Sequence, residues 1–361
     1  MYFLAADEKE HWAALARKIK STTAQPDSCE GEIRRSRLSA FQFYTGVLLT
    51  ANGQGDRGRE WLEAAALAER EGLFSSSFLI GFLERQENRL IMPTPAFADP
   101  RPFIHFAGVP VMREARARFL QQCGHTLPSF DEPFRMLDIG CGDGTLTAAL
   151  LGHLQETGTI GEIGEVMLVD ASPAMLDLAE ATVKKAIPDA RITTANHRIE
   201  DISDQIDRRF DLAVSSLAYH HMPREQKEVH LARLKPWIDH FIIFELDANH
   251  DAPEVHSPEM AFSVYQSYGR LIDFIFAHDA PVDVAINCVD CFLMSEQVSL
   301  LTQERGERTD YHMLRTEWCD LFEGVLAPAF SLRCDAACYA DEYMTLFTMH
   351  YGRDTEENAL L

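Results

Sequence analysis

The sequence predicts an α/β protein built on a doubly wound sheet, with an all-α segment in front of it. Three observations carry that expectation. From residue 134 onward, short apolar runs alternate with segments of helical period, the pattern of successive strand–helix units. The first of those runs enters a turn with glycine at 140, 142 and 144. Before residue 95 the apolar positions follow a helical period, and a proline-rich stretch at 92–102 separates the two regions.

Within residues 1–95, the segment from Glu8 to Lys20 puts Trp12, Leu15, Ala16 and Ile19 on one helical face. Further helices are predicted over 37–50, 57–71 and 74–87, broken by AsnGlyGlnGly at 52–55 and by Gly72. Gly46, Leu49, Gly58, Leu62 and Ala65 fall at the packing positions of a tetratricopeptide (TPR) hairpin, and Gly81 follows Gly46 by 35 residues. That spacing is close to the repeat period of about 34. Gln42 and Arg70 stand where the repeat has an aromatic residue and a proline. The region therefore resembles a TPR-like accessory domain. It reads as a surface for a protein partner or a homodimer, or as a cap on the domain at 96–361.

The net charge of −23 is unevenly placed: residues 1–98 carry 12 Lys/Arg and 13 Asp/Glu, residues 99–361 carry 21 and 43. Nucleic-acid enzymes gain affinity from cationic side chains on phosphates, which this acidic region would repel, so nucleic acid is not an expected partner. No run approaches the ~18 apolar residues of a membrane span. Asp7, Glu8 and Glu10 occupy the place where a secretion signal is basic, and a cytoplasmic location is expected. Eight cysteines scattered through regular elements are read as reduced thiols. Cys288 and Cys291 lie inside a predicted helix rather than a zinc-binding turn, and no metal is expected.

The strand Met136, Leu137, Ile139 and the helix from Leu146 enclose the glycine turn, where the backbone must bend sharply and close on a ligand. Asp138 precedes the first glycine, and the order is Gly-x-Gly-x-Gly. Thirty residues after Gly140, a second apolar run ends in Asp170, placed to accept the two hydroxyls of a ribose. Ser172 and Pro173 then open a helix as cap and first turn. Asp138-x-Gly140-x-Gly142-x-Gly144 resembles motif I of the class I S-adenosylmethionine (SAM) methyltransferases. The resemblance implies a seven-stranded sheet ending in an antiparallel strand pair, SAM as cofactor, and cofactor contacts from Asp138, Gly140, Cys141, Gly142, Asp170, Ala171, Ser172 and Met175. It adds Ile199 through its backbone, in place of an acid that many members carry near that point, and Ser215 at the end of the fourth strand. Strands are predicted over 190–195, 210–216 and 240–246, with a closing hairpin over 329–339 and 342–351.

Ligands of open α/β sheets bind at the carboxyl ends of the strands. Tyr219, His220 and His221 follow strand four, Glu245 closes strand five, and an insertion at about 256–308 forms two helices, 258–278 and 282–303, read as a lid. Methyl transfer needs the acceptor aimed at the methyl carbon and its proton removed, a task suited to histidine. His220 and His221 are the catalytic candidates. Tyr219, Glu245, Tyr265, Tyr268, Arg270, Tyr311 and His312 are the substrate-binding candidates; Arg270 reads either as a carboxylate clamp or as an i,i+3 partner of Asp273. The expected function is methyl transfer to a small-molecule acceptor. The alternatives are a protein methyltransferase that docks its target on the N-terminal helices, or a non-catalytic SAM-binding scaffold.

Overall fold

The computed structural model describes residues 2–93, 99–202 and 205–354, so residues 94–98 of the proline-rich junction lie outside the described residues. An N-terminal helical layer contains α1 (Ala6–Lys20), α2 (Leu38–Ala51), α3 (Gly55–Leu67) and α4 (Ser76–Arg85). The predicted hairpin is α2–α3, joined by a turn in which Gly53 takes φ +75°. The two helices approach so closely that a Cβ on Gly58 would meet the Gly46 carbonyl oxygen at 2.7 Å. Every residue from Ser39 to Thr50 is buried, so α2 is covered on all sides and presents no open repeat groove. Trp12 of α1 packs edge-on against Phe41 of α2 and against Phe262 of the insertion, which joins the layer to the rest of one apolar core.

Two helices that the sequence reading did not anticipate follow, α5 (Arg101–Gly108) and α6 (Pro110–Thr126), and they lead into the sheet. Its strands are β1 (Phe134–Ile139), β2 (Ile163–Val169), β3 (Arg191–Ala195), β4 (Phe210–Ser216), β5 (Ile238–Asp247), β6 (Phe330–Ala340) and β7 (Thr345–Arg353), in the order β3-β2-β1-β4-β5-β7-β6. Strands β1 to β5 are parallel, and β7 runs antiparallel to both β5 and β6. The connecting helices are α7 (Thr145–Glu156), α8 (Pro173–Ala186), α9 (Ile199–Ile202), α10 (Arg224–Leu234) and α14 (Arg315–Leu326).

Side chains alternate across a strand, so each strand supplies two cores. Met136, Val166, Leu168 and Val214 face α7, α8 and the N-terminal layer. Leu137, Ile139, Val169 and Ala213 face α10 and α14, where Leu231 and Trp318 pack. The strand order reverses between β1 and β4, which opens the crevice expected to bind ligands.

The insertion comprises α11 (Pro258–Ala277), α12 (Val282–Cys288) and α13 (Met294–Thr302). The second helix of the sequence reading runs over Val282–Thr302, with a π-helical turn at Val289–Leu293 between α12 and α13. Val282–Thr302 has the length and apolar composition of a membrane span, yet 72% of its apolar 18-residue stretch is buried against the chain. Its apolarity serves the core.

Candidate functional site

The turn between β1 and α7 is held open by three glycines in the left-handed region, with φ of +77°, +55° and +75° at Gly140, Gly142 and Gly144. Space demands glycine there as well as conformation. A Cβ on Gly140 would lie 2.2 Å from that of Ala218, and one on Gly144 would lie 2.7 Å from the Ala179 Cα. The amides of Gly140 and Cys141 both donate to the Val169 carbonyl at 2.9 Å, which ties the turn to the end of β2. One residue on, the Asp170 carboxylate accepts from the Gly142 amide at 3.0 Å and the Ser172 amide at 2.8 Å. Ser172 in turn caps α8 through the Met175 amide, while Met175 itself is buried. Ala171 follows Asp170 at the mouth of the turn, its carbonyl accepting from Asn196 at 3.1 Å. The Ile199 side chain comes within 4.0 Å of the Cβ position on Gly140.

A cavity beneath this turn is lined by Asp138, Gly140, Cys141, Gly142, Thr147, Phe103 and Arg116 among others. Asp138 is buried and accepts a short hydrogen bond from the Thr147 hydroxyl. Burial, with the nearby Asp170 charge adding, raises its carboxyl to about 7. Arg116 reaches in from α6, and its Nε is shielded from water without a hydrogen bond. Phe103 of α5 lies against the Gly142 turn, 3.2 Å from where a Cβ there would stand. Neither residue was recognised in the sequence. The available signal for Arg116 was its i+4 spacing from Met112, on the buried side of α6.

A second set of polar groups lies at the ends of β4 and β5. The 3-10 turn Tyr219–His221 turns His220 toward Glu245 of β5, with Nδ1 to Oε2 at 2.8 Å. The Glu245 Oε1 atom accepts from the Tyr219 amide at 3.0 Å. His220 Nε2 lies 3.6 Å from Asp310, and the His312 ring stands 3.9 Å from the His220 ring between centroids. Glu296 of α13 accepts from the Tyr268 hydroxyl at 2.7 Å. The His221 Nδ1 atom is 3.1 Å from Asp310; burial opposes its charge, but the Asp310 carboxylate outweighs that and raises the imidazole to about 9. Burial has the upper hand at His250, lowered to about 3, and at His312, which is lowered well below the ordinary range. Burial and the Asp310 charge push Glu296 well up.

The two sets are adjacent, because the Ala218 that abuts Gly140 directly precedes this turn. Of the sequence-predicted acceptor-side residues, the structure brings together His220, His221, Glu245, Tyr268 and His312. Others lie elsewhere. Ser215 bonds the Ile139 carbonyl inside the sheet, and Val214 and Ser216 line the cavity instead, a one-residue error of strand parity. Tyr219 points to the opposite core, where its hydroxyl meets His230 Nδ1 at 2.7 Å. Tyr265 bonds Ser39 of the helical layer at 2.8 Å. Arg270 binds Asp273 and Asp341, each at 2.6 Å, so its i,i+3 reading is the one found. Tyr311 contributes main chain, its amide donating to the His220 carbonyl at 2.7 Å. The sequence reading missed Asp310, His250 and the placement of Glu296. Of these, only Glu296 carried a sequence signal, an acid within an apolar helical run; His250 and Asp310 stand in polar stretches.

Residues 136–238 match the family model of a methyltransferase domain. No curated protein matches the chain in sequence. Among solved structures the chain is similar in fold to SCL7 of Oryza sativa, at 14% identity over 81% of this chain and 93% of that one, with a TM-score of 0.54. Lower TM-scores relate it to the plantazolicin methyltransferase BpumL in complex with a desmethyl analogue and S-adenosylhomocysteine (14% identity, 72% and 93% of the two chains, 0.42). They also relate it to magnesium protoporphyrin IX methyltransferase from Synechocystis PCC 6803 with bound S-adenosylhomocysteine (12%, 70% and 93%, 0.41). The matched model, on a sheet of this order with its glycine turn between β1 and α7, identifies residues 136–238 as a methyltransferase domain, of a family whose cofactor is S-adenosylmethionine.

Proposed function

We propose that the protein transfers the methyl group of SAM to a small molecule held between the glycine turn and the histidine–carboxylate cluster. The observation that carries the cofactor half is the charge pattern of the cavity: Arg116, with an unbonded Nε, and Asp138 line the same space. A cation for a carboxylate and an acid for an ammonium suit the amino-acid end of SAM. Asp170 is assigned to the ribose, Gly140 to Gly142 to the floor, and Ala171, Ser172, Met175 and Ile199 to the adenine side. When bound, SAM supplies a methyl carbon activated by a sulfonium.

On the acceptor side, Glu245 fixes the His220 ring by its Nδ1, and the acceptor's proton is assigned to the cluster around His220, His221 being already charged beside Asp310. The insertion covers this cluster with buried residues of α11 and α13, and a site covered in that way suits a small acceptor. The acidity of residues 99–361 argues in the same direction.

The test offers the purified chain SAM with a cell extract split into small metabolites and macromolecules, and follows S-adenosylhomocysteine. Product is expected from the metabolite fraction. Asp170→Ala is expected to form none, with S-adenosylhomocysteine binding weakened roughly 10- to 100-fold through loss of charge-assisted bonds. Product from the macromolecular fraction alone would overturn the small-molecule reading; SAM binding without turnover in either would leave a scaffold.

The Asp138 carboxyl also gives the site a pH signature. In the free protein it is half protonated near pH 7, and an ammonium partner favours the carboxylate, so binding displaces a proton below that pH. Affinity for S-adenosylhomocysteine is expected to fall as the pH drops below about 7, by up to tenfold per unit. Calorimetry with Asp138→Asn is expected to give a flat profile. A flat wild-type profile would remove Asp138 from this role.

A further inference from the structure

We propose that His220, Asp310 and His312, with Glu296, bind a divalent first-row transition metal ion. The proposal rests on the position of the cluster, not on methyl transfer.

Three overlapping groups of donors occur here, His220–His221–Asp310, His220–Glu245–His312 and Glu296–Asp310–His312, and within each the donor atoms lie inside 4.8 Å of one another. Donors around one ion held at about 2.2 Å are separated by at most about 4.4 Å, a spacing that the Glu296–Asp310–His312 group approaches, with His220 grouped in turn with Asp310 and with His312. All four proposed ligands are buried.

The second observation is independent of that proximity. His312 Nδ1, out of contact with water, has no hydrogen bond, and Asp310 Oδ1 makes none of acceptable geometry, with the His221 ring beside it at 3.1 Å. Native interiors rarely leave such atoms unserved, and an orphaned buried acceptor calls for a missing donor or cation. Among the described residues, Asp310 and Glu245 have only histidines as ion-pair partners, and Glu296 has none. Among the described residues, no lysine or arginine is in ion-pair contact with Glu245, Glu296 or Asp310, all of which are buried.

The outer contacts are those a metal site needs. A ligating group is normally oriented by a hydrogen bond on its far side. Glu245 holds His220 by Nδ1, which leaves the Nε2 lone pair directed toward Asp310; Tyr268 holds Glu296; the Thr309 hydroxyl holds the second Asp310 oxygen. The π-helical turn ends three residues before Glu296, and π-turns within α-helices concentrate at functional sites. Two imidazoles and two carboxylates select a borderline ion such as zinc, iron(II) or cobalt over magnesium or calcium.

The experiment uses the full chain, stripped with a chelator and titrated with Co(II) and then Zn(II). One equivalent of Co(II) with visible ligand-field absorption, displaced by one equivalent of Zn(II), is expected. Asp310→Asn and His312→Gln are each expected to weaken Co(II) binding by more than the roughly 10- to 100-fold that loss of an outer-sphere partner costs. Cys291→Ser is expected to leave it unchanged. S-adenosylhomocysteine binding by each variant shows that it is folded. A wild-type chain that binds S-adenosylhomocysteine yet takes up neither ion stoichiometrically would overturn the proposal, as would variants that bind Co(II) like the wild type. One-to-one Co(II) uptake in a chain that turns over no SAM would instead leave the ion in place and remove the methyl-transfer reading.

Discussion

Arg116→Ala is expected to weaken S-adenosylhomocysteine binding at least about 30-fold while leaving adenosine binding within about twofold. The guanidinium lines the cavity below the glycine turn with its Nε shielded and unbonded. Burial lowers its affinity for a proton, and Asp143 at the tip of the turn offsets part of that effect. A cation so placed is poorly solvated until a carboxylate reaches it, so the pairing is worth more than a surface contact, about 2 kcal/mol or more. Adenosine lacks the amino-acid tail and does not report on that pairing. Asp170→Ala, by contrast, is expected to weaken both ligands, because both carry the ribose. Titrating the two ligands against both variants separates the ends of the site. Equal loss of both ligands in Arg116→Ala would show that the arginine supports the fold and not the tail.

Gly140→Val is expected to abolish measurable cofactor binding and to destabilise the domain by about 3 kcal/mol or more. Two costs add at this position. A β-branched residue at φ +77° is strained by roughly 1–2 kcal/mol, and its Cβ would stand 2.2 Å from that of Ala218. Relief requires the turn after β4 to move, and that turn carries His220 and His221. Adding Ala218→Gly removes the collision without changing φ. The double variant is therefore expected to recover part of the stability and little of the binding, as read by thermal unfolding with and without S-adenosylhomocysteine. Wild-type affinity in Gly140→Val would dissolve the proposed floor of the site.

The elements that the sequence showed most clearly were those governed by local rules. β4 was read to the residue, because its apolar run is bounded by Arg209 and by the turn after Ser216. The glycine turn was legible because backbone conformation there restricts residue choice, and Asp170 stood out as the acid that ends an apolar run. Ser215 was misjudged because strand ends tell which residues are near a site but not which face they take. Arg116 was invisible for another reason. An arginine in a helix among Arg113 and Arg118 has the composition of a solvated face, and only the packing of α6 on the sheet turns it inward. The cluster of His220, Glu296, Asp310 and His312 draws on three separate chain segments, so no spacing rule could assemble it. Glu296 within an apolar helix was the clearest hint, since a carboxylate in such surroundings needs a specific partner.

The interlocking of the N-terminal helices with the insertion limits how this molecule can be dissected. Ser39 meets the Tyr265 hydroxyl, Ser75 donates to the Tyr265 carbonyl at 2.8 Å, and Phe74 takes its amide partner from Gly269. Cutting the chain at the proline-rich junction would strip α11 of these neighbours and expose the rings of Phe262 and Tyr265 that pack on them. A truncated protein that lost activity would thus report a collapsed roof, not a lost docking partner. Whether those helices recruit anything is better asked by changing outward-facing residues of α3, such as Leu67, which is 92% exposed, and leaving the shared interior whole.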